Sequence, residues 1–159
     1  MNTSNAFNYK VLGVTLARGG SKGIPKKNIH KVNGTPLIGH TIKAARLAKL
    51  FTHYIVSTDS DEIADVALSL GADVPFMRPD NLSGDAVWSR DALKHAVLEM
   101  ERINDITYDY VIELPCVSPL RTSEHILEAF DMMIKEQSDS VTSVAMMQDK
   151  HPVRMKRII

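Results

Sequence analysis

A chain of 159 residues, 44% apolar and 24% charged, has the size and composition of one globular domain able to bury a core. Nineteen Lys and Arg against nineteen Asp and Glu give zero formal charge, which argues against a nucleic-acid partner. A single cysteine excludes an intramolecular disulfide, the apolar run Val11–Ala17 is too short to span a bilayer, and no cationic leader with a cleavage site is evident; a cytoplasmic protein without a membrane partner is expected.

Strand signals alternate with helix signals along the chain. That pattern predicts βαβ units and an α/β, three-layer, Rossmann-like fold around a mainly parallel sheet. Val11–Leu16 reads as the first, buried strand. Thr35-Pro36 predicts a helix start, with Leu37, Ile38, Ile42, Ala45 and Ala48 on the inner face. Tyr54–Ser57 is the second strand; Asp59 with Glu62 reads as a capping box, and Gly71 ends the helix that follows. Val74–Met77 is a short third strand whose proline marks an edge or a strand start. A polar loop leads to a helix over Trp88–Ile103 with Leu93, Ala96, Val97 and Met100 inward, then to a fourth strand at Tyr110–Leu114. Thr122 caps a last helix, Ser140–Ala145 is a fifth strand, and the tail His151–Ile159 is basic and without clear structure. The six histidines show no metal-ligand spacing.

The chemistry concentrates in Ala17-Arg18-Gly19-Gly20-Ser21-Lys22-Gly23-Ile24-Pro25-Lys26-Lys27-Asn28, directly after the first strand. Glycines permit positive φ and close backbone approach, so successive N–H groups can face one anion. Arg18, Lys22, Lys26 and Lys27 add full charge, and no acid interrupts them. Ligands in open α/β sheets bind beyond the carboxyl ends of strands, which is where this stretch lies. It is neither a Walker A loop, since Ile24 follows Gly23, nor a G-x-G-x-x-G fingerprint. The first acid of the chain is Asp59, so the N-terminal third has a positive field unless later acids fold back onto it.

These twelve residues resemble the signature loop of the acylneuraminate cytidylyltransferases (CMP-sialic acid synthetases), a family that includes the CMP-legionaminic and CMP-pseudaminic acid synthetases. Its loop reads close to A-R-G-G-S-K-G-I-P-x-K-N, matched here at every specified position. Ser118-Pro119-Leu120-Arg121-Thr122 matches the end of the family's Q-P-T-S-P-L-R-T, with Pro115 in place of the glutamine and Val117 in place of the threonine. The resemblance implies a nucleotide-diphospho-sugar transferase fold and transfer of CMP from CTP to a nonulosonic acid. It implies Arg18, Lys22 and Lys27 on the triphosphate, with Ala17, Gly19, Gly20, Ser21 and Gly23 as the cradle. Asn28, Arg78 and Ser89 fall at positions that select cytosine. Ser118 and Arg121 fall near the sugar, Arg121 either steering its carboxylate or tying down its own loop. The family's glutamine helps hold the acceptor sugar, so Pro115 leaves the identity of that sugar open.

Family members continue beyond the point matching Ile159, with a pair of aspartates that hold Mg²⁺ and a dimerisation segment. The resemblance therefore implies Mg²⁺ and a homodimer for the intact protein, and one nucleotidyltransferase domain over residues 1–159 without those parts. Asp59, Asp80 and Asp85 lie near strand ends, but none is assigned to the metal. Two rivals stay open: a nucleotidyltransferase for a different sugar or base, and a nucleotide-binding module without turnover.

Overall fold

The computed structural model describes residues 9–21 and 23–144. The chain groups into two compact units, Met1–Leu127 and Glu128–Ile159, and everything that forms the candidate site lies in the first. Three parallel strands make its sheet, in the order β4 (His53–Ser57), β1 (Val11–Leu16), β5 (Tyr110–Glu113). Register is set by pairs such as Val14 opposite Ile55 on one side and Val14 opposite Glu113 on the other. β1 sits in the middle, and five of its six residues are buried, as expected of a strand covered on both faces.

The alternation along these strands feeds two cores. On one face Val56 packs with Ile38 and Ile42 of α1 (Leu37–Ala48) and with Ile63 and Ala67 of α2 (Asp61–Ser69). On the other, Leu12, Val14 and Ile55 pack with Ala96 and Met100 of α3 (Ser89–Asn104). Helices on both faces of a parallel sheet make the three layers read from the sequence. α4 (Ser123–Glu136) carries residues of both compact units. Thr122 caps it, its hydroxyl accepting from the His125 N–H at 3.4 Å.

Four expected elements differ. Thr35-Pro36 does not open a helix: it is β3, paired antiparallel with β2 (Lys31–Val32). Asn33 and Gly34 form the turn with φ of 50° and 79°, the left-handed pair that a two-residue hairpin favours. α1 consequently begins at Leu37, after Pro36. The cap of α2 is Ser60, whose hydroxyl accepts from the Ile63 N–H, and not Asp59. Val74–Met77 is not a strand: one isolated bridge lies just before it, Asp73 to Ile55, and one at its end, Met77 to Thr58, and Pro75 between them has no N–H to donate. Residues 140–144 are not a strand; Ala145 and the basic tail lie outside the described residues.

Candidate active site

The carboxyl ends of β1 and β5 open into a cleft of about 310 Å³, within the range of small-molecule sites. Three chain segments beyond the strands wall it. From the loop after β1 come Arg18, Gly20, Ser21, Lys27 and Asn28. From the segment before α3 come Arg78, Ser83, Gly84, Asp85 and Trp88, and from the first residue of α3 comes Ser89. Glu113 at the end of β5, with Pro115, Cys116 and Val117 after it, closes the third side.

The basic loop is held open by specific bonds. The Ala17 N–H donates to the Ser57 carbonyl at 3.0 Å, which carries β1's pairing with β4 one step further. Asn28 is buried, and its amide donates to the Arg18 carbonyl at 3.0 Å, closing the loop on itself. Lys26 takes the left-handed conformation, φ 51°, and starts a single 3-10 turn over Lys27–Ile29 that turns Lys27 into the cleft. The glycines act differently from expectation. Among the described residues only Gly34 and Gly71 are glycines at positive φ, so Gly19, Gly20 and Gly23 do not supply a left-handed turn. A Cβ on Gly19 would stand 3.1 Å from that of Ser60, whereas Gly20 and Gly23 face open space.

The later acids fold back on the basic segment. Arg18 pairs with Asp85 at 2.7 Å, and Lys26 pairs with Glu62 at 2.7 Å. The unopposed positive field is therefore reduced, and Lys27 is a cleft cation that forms no ion pair among the described residues. The Gly19 N–H is also committed, donating to Asp59 at 2.9 Å.

Arg78 is far from a surface arginine, with 5% of its area exposed. Its backbone N–H donates to the Thr58 carbonyl at 2.7 Å. Its guanidinium donates to the Ser83 hydroxyl at 3.2 Å and reaches Asp59 at 3.4 Å. Burial disfavours the Arg78 charge; the Asp59 carboxylate offsets this, and nearby Arg18 adds to the cost.

The remaining expected residues that the structure describes do not line the cleft. Ala17 is fully buried in the core, and Gly23 is exposed. Ser118 is exposed and accepts the Arg121 N–H through its carbonyl, while the Arg121 guanidinium donates to the Pro115 carbonyl at 3.2 Å. Of the two roles considered for Arg121, the contacts in place are those that tie down its own loop. Lys22 lies outside the described residues.

Sequence reasoning placed Asp59 near a strand end without a role, and it missed Ser83, Trp88, Glu113 and Cys116 as neighbours of the site. Only Trp88 had a signal, as a lone tryptophan beside Ser89. Glu113 ends a strand, and burial raises its carboxyl above the usual range. Cys116 is 3% exposed, and burial pushes its thiol up to about 12, against smaller lowering effects of Arg121 and Lys27. Thiolate is the reactive form, so alkylation of Cys116 near neutral pH is expected to run roughly 10³-fold slower than for a free thiol. Iodoacetamide labelling followed by mass spectrometry checks this; labelling at the free-thiol rate would contradict it.

No group of three or more His, Cys, Asp and Glu side chains among the described residues could hold a metal ion. Asp85 at the cleft and Asp59 beside it are paired with Arg18 and Arg78, and Glu113, the other acid lining the cleft, has its carboxyl raised by burial. The described residues thus do not fit Mg²⁺ by themselves, and no chemical step is derived through it. Among the described residues no helix is long and apolar enough to cross a membrane.

A family model described as cytidylyltransferase matches residues 12–156 of this sequence. The chain belongs to the cytidylyltransferase family. It is 40% identical over 129 residues to a pseudaminic acid cytidylyltransferase of Campylobacter jejuni, an alignment covering 81% of this chain and 55% of that one. It is 39% identical over 139 residues to a CMP-N,N'-diacetyllegionaminic acid synthase of Legionella pneumophila, covering 86% and 58%. With an N-acylneuraminate cytidylyltransferase A of Danio rerio it shares 37% identity over 148 residues, covering 93% and 32%. The chain spans about half the length, or less, of these relatives. Among solved structures, a CMP:2-keto-3-deoxy-manno-octonic acid synthetase complexed with CTP superposes with a TM-score of 0.65 at 21% identity, covering 81% of this chain and 49% of that one. That likeness shows the shared α/β fold.

Proposed function

We propose that the intact protein transfers CMP from CTP to the anomeric hydroxyl of a nonulosonic acid and releases pyrophosphate. The observation that carries the reading is Lys27: a cation without an ion-pair partner among the described residues, in one cleft with Asn28, Arg78 and Ser89. In the reaction the sugar oxygen forms a bond to the α-phosphorus as the bond to the β-phosphate oxygen breaks in line. Such a transfer needs positioning and charge neutralisation more than covalent catalysis. Lys27 offsets negative charge growing on the leaving pyrophosphate. Arg18 joins it by exchanging the Asp85 carboxylate for a phosphate. Asn28, Arg78 and Ser89 select the base, following the family resemblance.

The acceptor class rests on the relatives, which are named for pseudaminic, legionaminic and acylneuraminic acids. The proposal extends to Mg²⁺ as a required cation, to a homodimer and to a cytoplasmic location without nucleic-acid partners. Resemblance to the family supports the first two; the single cysteine and zero formal charge support the third.

Trp88 makes binding visible. It is the one tryptophan of the chain, it lines the cleft and it is 73% exposed. CTP is expected to change its emission saturably, and GTP to do so only at much higher concentration. Emission unchanged by CTP, with calorimetry also showing no heat, would remove the proposal.

A further inference from the structure

We infer that Asp59 is a positioning residue that couples the phosphate loop to Arg78, so that recognition of the base and grip on the triphosphate share one carboxylate. The inference rests on the nucleotidyl-transfer reading above. Its basis is geometric. One oxygen of Asp59, Oδ1, accepts the Gly19 N–H at 2.9 Å and stands 3.4 Å from Nη2 of Arg78. Gly19 and Arg78 come from segments on either side of β4, and the short stretch after β4 fastens both. The Ser57 carbonyl holds Ala17, and the Thr58 carbonyl holds the Arg78 backbone. Ser60 packs close over Gly19, and its own N–H is held by the Thr58 hydroxyl at 3.1 Å.

Asp59 is free for this task because Ser60, and not Asp59, caps α2. Its charge also has an electrostatic use. Arg18 and Arg78 are close enough for like-charge repulsion to act on Arg78, and both line the cleft. A carboxylate between the loop and Arg78 offsets that repulsion and keeps the Arg78 guanidinium in one place. The Gly19 N–H is thereby withdrawn from the anion cradle and used to set the loop's position. A displacement of about 1 Å at a reacting centre costs about 10²-fold in rate, so a brace on both binding elements has kinetic weight.

The test compares the full-length wild type with Asp59→Asn and Asp59→Ala, using calorimetry with CTP, UTP and inorganic tripolyphosphate, alongside thermal melts. Asn keeps an acceptor for Gly19 but loses the charge facing Arg78. Asp59→Asn is therefore expected to bind tripolyphosphate within about twofold of wild type while its preference for CTP over UTP drops about tenfold. Asp59→Ala is expected to lose both. A merely structural role would weaken all three ligands together, in step with melting temperature. Loss of all ligands in equal measure by Asp59→Asn, or a retained CTP preference, overturns the inference even if the Ala variant fails to fold. A wild type that binds CTP and UTP alike overturns the nucleotide reading itself, and the coupling with it.

Discussion

Lys27→Ala is expected to lower turnover of the intact protein by about 10²-fold or more, the scale found for removing a single preorganised transition-state donor. Lys27 leads because of what its neighbours are doing. Arg18 is neutralised by Asp85, and Lys26 points to Glu62. Any anion entering the cleft must compete with a carboxylate for Arg18, whereas Lys27 offers its charge without that cost. The loss should appear mainly in kcat, since charge grows on the leaving group as the bond to phosphorus breaks. Steady-state pyrophosphate release, with CTP and each candidate sugar varied, separates kcat from KM. A Lys27→Ala protein with wild-type kcat would take this lysine out of the reaction.

Arg78→Ala should have the largest effect on the fold itself. The side chain is almost completely buried and holds Ser83 and Asp59, so its removal opens a void and strands a mostly buried carboxylate. Breaking such a pair from one side costs about 3 kcal/mol. For a chain of this size that is a fall of about 10 °C in melting temperature. Arg78→Lys should recover little, because an ammonium cannot span Ser83 and Asp59 as a planar fork does. Denaturant unfolding of the three proteins measures the cost directly. A loss under about 1 kcal/mol would mean that the network does not brace this side of the cleft.

The parts of this molecule legible in sequence are those set by local pattern. Val11–Leu16 is continuously apolar because both faces of the central strand are covered, and the glycine-rich segment after it lies at the strand's carboxyl end as the topology requires. Gly71 stops α2 at φ 79° because a left-handed residue there needs no Cβ. What failed locally had a competing local signal. Asn33-Gly34 is a strong hairpin turn, and it overrode the Thr35-Pro36 helix start. Asp59 reads as the cap from sequence, but Gly19 and Arg78 claim its carboxylate and Ser60 caps the helix in its place. The pairing of Arg18 with Asp85 and of Lys26 with Glu62 joins residues far apart in the chain, and no periodicity reveals such contacts. Arg121 shows the same limit, since only the folded loop reveals that its fork reaches the Pro115 carbonyl.

The central claim is that the basic loop after β1 grips the triphosphate of CTP, with Lys27 as its committed cation. Calorimetric titration of CMP, CDP and CTP into wild type and Lys27→Ala tests it most directly. The account predicts that wild-type affinity climbs with each added phosphate and that most of this climb disappears in the variant. Equal affinity of the wild type for CMP and CTP, or an undiminished climb in Lys27→Ala, would contradict it.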